Sequence, residues 1–130
     1  MHTNKPAGQR SWREKFSDAF HGVKAGVRGQ SSFFVHFFMS ALVVATGMAL
    51  GVDSLAEWGV LILCITVVLS AEMFNSAIES LARAITRDVD PHVGTALDIG
   101  SAAVLVTSIG AALVGATIFA NRLGLLLGWW

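Results

Sequence analysis

The chain has 130 residues, of which 54% are hydrophobic and 14% charged. A single domain of that length cannot hide so much apolar surface in its own core, so the composition excludes an ordinary soluble globule and makes a bilayer the required solvent. The formal net charge of zero says nothing alone, and nothing in the sequence points to nucleic acid, a redox cofactor or a permanently bound metal. Cys64 is the sole cysteine, which excludes an intrachain disulfide; inside an apolar run it reads as a packing residue.

Residues 1–10 are polar, contain Pro6 and Gly8, and are expected to be disordered. The rest, 11–130, reads as one membrane domain. Ser11 and Glu14 form a capping-box signature, followed at helical spacing by Trp12, Phe16, Phe20, Val23 and Val27. Arg13, Lys15, Asp18 and Lys24 fall on the opposite face. This predicts an amphipathic helix over 11–29 lying in the headgroup plane, an anchor or a gate for lipid access.

Apolar runs follow at 33–51, 58–82 and 98–120, each long enough to cross a hydrocarbon core of roughly 30 Å as a helix. The expected fold is therefore an all-α membrane protein, with one surface helix and three transmembrane helices. More than thirty residues precede the first run and no small-residue cleavage pattern follows it, so it is not read as a cleaved signal. Lys5, Arg10, Arg13, Lys15, Lys24 and Arg28 precede the first span, and Arg83 and Arg87 lie between the second and third. The 52–56 loop has no basic residue and only Arg122 lies near the C-terminal end. The positive-inside rule places the N-terminus and the second loop in the cytoplasm, with Trp58, Trp129 and Trp130 at the outer interface and Trp12 at the inner one. Asp88, Asp90 and Pro91 mark a short second loop, which makes the second and third spans antiparallel neighbours. The third span is rich in Gly, Ala and Ser, among them Gly100, Ser101, Gly110 and Gly115, and is expected to be the most interior or the most oligomer-facing helix.

No GxxxxGK, CxxC, HExxH or serine elbow occurs, so chemistry must come from polar groups within the spans. The second span reads AEMFNSAIES and places Glu72, Asn75 and Glu79 at i, i+3 and i+7, with Arg83 at i+11. At 100° per residue these fall at about 0°, 300°, 340° and 20°, a single stripe. An ionisable group near the bilayer centre costs roughly 2.5 to 3.5 kcal/mol, so such a stripe needs partners or a function. Counting inward from Trp58, Glu72 lies about 21 Å along the helix and Glu79 about 10 Å further, near the cytoplasmic boundary. His36, one turn into the first span, and Asp98, read as the cytoplasmic start of the third, fall at the same level. A layer of this kind suits a magnesium–nucleotide complex, since Mg²⁺ takes one or two carboxylates plus phosphate oxygens and water. Each residue also has a structural reading: an intrahelical Glu79–Arg83 pair, a packed His36, an N-capping Asp98, an interhelical Asn75.

With AEMFNSAIES followed by ALDIGSAAVL, the chain resembles the prokaryotic diacylglycerol kinase family, which includes the undecaprenol kinases. The E-x-x-N-S/T-A-I-E element matches Glu72 through Glu79, the K-D-x-G/A-S/A-A-A-V element matches Asp98 through Val104 without its lysine, and the likeness covers roughly 11–120. The resemblance implies an ATP-dependent lipid kinase of the bacterial inner membrane, using Mg²⁺ with ATP and assembled as a homotrimer with sites between subunits. It implies that Glu72 is the general base for the lipid hydroxyl, with Asn75 positioning beside it. It also implies that Glu79 is a metal ligand with His36, and that Asp98 and Ser101 belong to the nucleotide site. Diacylglycerol is the first acceptor and undecaprenol the alternative; the GSAAV stretch leans to the former and His36 to the latter.

The departures matter. Leu97 stands where the family has lysine, Arg83 where many members have aspartate, and Gln30 and Phe34 where polar or charged residues are common. A lost phosphate-pairing lysine weakens nucleotide binding unless Arg83 or Arg87 replaces it, and Arg83 is expected to compensate. Two other classes remain open: a small proton-coupled membrane protein, with the carboxylates as a relay, and a non-catalytic relative kept as a structural trimer.

Overall fold

The computed structural model describes residues 11–28, 31–85 and 88–129. Four helices follow one another: α1 (Trp12–Val27), α2 (Ser31–Ala49), α3 (Leu55–Ile85) and α4 (Pro91–Leu127). The expectations for residues 1–10, Gln30, Arg87 and Trp130 lie outside the described residues. No strand occurs among the described residues, and α2, α3 and α4 are each long and apolar enough to cross a membrane. The chain is an all-α integral membrane protein.

The expected capping box closes α1, with the Ser11 N–H donating to Glu14 Oε2 at 2.7 Å and the Glu14 N–H to Ser11 Oγ at 3.3 Å. On its apolar stripe Trp12, Phe16 and Phe20 remain exposed among the described residues. Lys15, expected on the opposite face, instead reaches the apolar side: its Nζ lies 4.8 Å from the centre of the Trp12 ring, a cation–π contact that its long flexible stem allows.

At its far end α2 stops in a Schellman turn. Gly51 takes φ +66°, and the Val52 N–H reaches back to the Gly47 carbonyl at 2.9 Å while the Gly51 N–H reaches Met48 at 3.2 Å. Trp58 folds onto that turn. Its indole N–H donates to the Val52 carbonyl at 2.9 Å and its ring lies so close over Gly47 that a Cβ there would stand 3.0 Å from it. Asp53 and Glu57 beside this turn bind Arg122 of α4: Nε donates to Glu57 Oε2 at 2.9 Å and Nη2 to Asp53 Oδ1 at 2.5 Å.

The third span begins earlier than its apolar run suggested. Asp90 caps α4 by accepting from the His92 and Val93 N–H groups at 2.8 and 3.1 Å, and Pro91 opens the first turn. Asp98 is therefore two turns inside the helix and not at its start. An apolar count finds only the part of a helix that hydropathy marks, whereas α4 runs beyond that stretch at both ends. At 31 and 37 residues, α3 and α4 measure about 46 and 55 Å and overshoot the hydrocarbon core.

Helices α3 and α4 form the closest pair, and α2 rests on them less extensively. Within one chain the interior helix is α3, which buries Leu61, Val68, Glu72, Asn75 and Ser76; α4 buries only glycines among its described residues. The small-residue face of α4 is thus interior where it meets α3 and open elsewhere.

Candidate functional site

The polar stripe of α3 faces its neighbours in the chain. Glu72 is 2% exposed, and among the described residues it is the one buried side chain with a formal charge. Ser32 Oγ on α2 donates a short hydrogen bond to Glu72 Oε1. One turn further along α2, His36 Nε2 stands 3.6 Å from Glu72 Oε2. Two polar groups of α2, spaced i and i+4, therefore meet the two oxygens of one carboxylate on α3.

Asn75 occupies the next turn. Its Nδ2 donates to Glu79 Oε1 at 3.1 Å, which fixes the second carboxylate against the first turn below it. Its Oδ1 is buried without a hydrogen-bond partner among the described residues and lies against Gly100 of α4. A Cβ at Gly100 would stand 2.6 Å from that oxygen and 3.3 Å from Ile78 Cδ1, so glycine is what allows α4 to close over Asn75.

Two cavities adjoin at this point. The larger, about 890 Å³, opens between α1 and α3 and is walled by Gly22, Gly26, Arg28, Ser32, Ser76, Glu79 and Arg83 among others. The smaller, about 420 Å³, lies between α3 and α4 and is walled by Glu79, Ala82, Arg83, Asp88, Val93, Leu97 and Ser101. Glu79 and Arg83 belong to both walls. An apolar groove of about 500 Å³ runs along α2, α3 and α4 from His36 toward Phe119, with Cys64 in its lining.

The expected site residues divide accordingly. Glu72, Asn75 and Glu79 form a polar ladder along α3, Glu72 bonded to Ser32 of α2 and Asn75 to Glu79, and Arg83 and Ser101 share a cavity with Glu79. Asp98 does not join them in one chain. It is exposed, and because Gly100 faces Asn75, a residue two positions earlier points about 200° around α4, away from α3. Among the described residues no three His, Cys, Asp or Glu side chains come together as a metal-holding group. Of the expected metal pair, Glu79 is held by Asn75 and His36 faces Glu72. Ser32 escaped the sequence reading. The signal that could have found it is its i, i+4 spacing to His36, which puts both on one face of α2.

Residues 17–119 match the prokaryotic diacylglycerol kinase family. The undecaprenol kinase of Bacillus subtilis (strain 168) is 28% identical over 110 residues, a stretch that covers 85% of this chain and 89% of that relative. With the match running through all four helices and through both elements of the polar ladder, the chain belongs to the prokaryotic diacylglycerol kinase family.

Proposed function

We propose that this protein is a lipid kinase that transfers the γ-phosphoryl group of ATP to the hydroxyl of a membrane lipid. The observation that carries the proposal is Glu72: a buried carboxylate, bonded to Ser32 of α2, inside a helix long and apolar enough to cross a membrane. In the proposed step Glu72 takes the hydroxyl proton as the lipid oxygen attacks the γ-phosphorus, and the bond to the bridging oxygen of ADP breaks. Asn75 positions the adjoining carboxylate. Arg83, on the wall of both cavities, pairs with phosphate in place of the lysine that Leu97 replaces, and Ser101 and Asp98 complete the nucleotide side.

Magnesium accompanies ATP in this reading. It asks for few protein oxygens, and Glu79, a carboxylate on the rim of two cavities that also accepts from the Asn75 amide, fits that demand. Glu79 would hold the ion, which supplies neutralisation of phosphate charge; the His36 imidazole stays with Glu72. Asp98 projects away from its own α3, which favours the homotrimeric assembly, where a second chain would meet that face. In this reading residues 11–130 form one domain in the bacterial inner membrane, with the N-terminus and the α3–α4 loop in the cytoplasm, as the basic residues before α2 and at the end of α3 favour.

Diacylglycerol is the first acceptor, yielding phosphatidic acid; undecaprenol is the second, favoured by the name of the Bacillus subtilis relative. Purified protein in detergent micelles with γ-labelled ATP and each lipid in turn tests both. Label in phosphatidic acid supports the first, label in polyprenyl phosphate the second. Label in neither overturns the kinase reading in favour of a non-catalytic relative.

A further inference from the structure

We infer that Ser32 is a positioning residue for Glu72, setting which carboxylate oxygen meets the acceptor hydroxyl; the inference rests on the lipid-kinase reading above. Glu72 is 2% exposed, so it cannot borrow its hydrogen bonds from bulk water, and an unbonded buried carboxylate is costly. On its own helix the neighbouring Asn75 amide donates to Glu79 instead. The donor comes from α2, where the Ser32 hydroxyl binds Oε1.

That bond divides the carboxylate into two unequal oxygens. Oε1 is committed to Ser32, whereas Oε2 has His36 Nε2 at 3.6 Å, beyond ordinary hydrogen-bond length. Oε2 is then the oxygen to which a lipid hydroxyl gives its proton. Ser32 also stands on the wall of the larger cavity with Glu79 and Arg83, so one small side chain touches both the base and the chamber that faces the phosphate-binding groups. A base held at one oxygen keeps its other oxygen in a fixed direction, which is the geometric condition for proton transfer in an oriented complex.

The full-length protein is compared with Ser32→Ala and Ser32→Thr in lipid nanodiscs, with kcat and KM measured separately for ATP and for whichever lipid accepts phosphate. Loss of a hydrogen bond to a charged group lowers kcat about 10-fold, with KM for ATP nearly unchanged. Ser32→Thr, which keeps the hydroxyl, restores most of kcat. In parallel, the carboxylate stretch of Glu72 is identified by infrared difference against Glu72→Gln; it shifts in Ser32→Ala and returns in Ser32→Thr. Unchanged kcat in Ser32→Ala, a loss confined to KM for ATP, or an unmoved carboxylate band each overturns the inference. If the parent protein phosphorylates neither lipid, the kinase reading fails by itself, and the infrared comparison still decides whether Ser32 holds Glu72.

Discussion

A carboxylate inside a membrane-spanning helix is tolerated when its oxygens have donors and its removal would cost function. Glu72 has its donor in Ser32 and a polar neighbour in His36. Glu72→Gln keeps the shape and much of the hydrogen bonding while removing the basic oxygen. The expected result is a folded protein with normal helix content and phosphate transfer reduced about 10²- to 10⁴-fold; near-normal turnover would exclude Glu72 as the base. Arg83 makes a different contribution, because it is exposed and lies on the walls of both cavities. Arg83→Ala is expected to raise KM for ATP about 10-fold and to leave KM for the lipid alone; unchanged nucleotide affinity and turnover would show that it does not replace the missing lysine. The α3 stripe was legible in the sequence because its period and its conflict with the membrane are both local facts. Ser32 was not, since one serine near the start of an apolar helix carries no cost that demands a partner. The direction of Asp98 was not legible either, because it depends on where α4 begins and how α4 is rotated.

At the scale of helices, two glycines of α4 separate packing from propensity. Gly100 lies against Asn75 and Ile78, so Gly100→Ala must displace the amide that holds Glu79. The expected cost is about 1 to 3 kcal/mol of stability, accompanied by lower turnover. Gly94 in the first turns of the same helix would place its Cβ in open space, so Gly94→Ala should instead be neutral or stabilise by up to about 1 kcal/mol. Thermal unfolding of the two variants in the same detergent checks the pair: equal effects would mean that Gly100 has no packing role. Each span was legible because apolar length is a membrane requirement. Their ends were not, since outside the bilayer the helices are set by Asp90, Pro91 and the Gly51 turn, signals independent of hydropathy.

The charges are distributed unevenly over the whole molecule, and Arg122 is the residue that runs against the pattern. It lies near the end opposite to the basic N-terminal helix, where the positive-inside rule disfavours it. Asp53 and Glu57 answer it directly, joining the α2–α3 turn to α4 across 69 and 65 residues of sequence. With that arginine paired to two carboxylates, the remaining asymmetry is set by Arg13, Lys15, Lys24 and Arg28 ahead of α2 and Arg83 at the end of α3, all on one side. Cysteine labelling tests the resulting orientation, since Cys64 can be replaced by serine to give a cysteine-free background. In intact cells a membrane-impermeant maleimide should label Leu55→Cys, at an exposed position beside the α2–α3 turn. Lys24→Cys, exposed on α1, should react only after the inner membrane is opened. The reverse pattern would put the polar ladder of α3 on the side away from ATP, and a kinase drawing its phosphate from the cytoplasm could not work in that orientation.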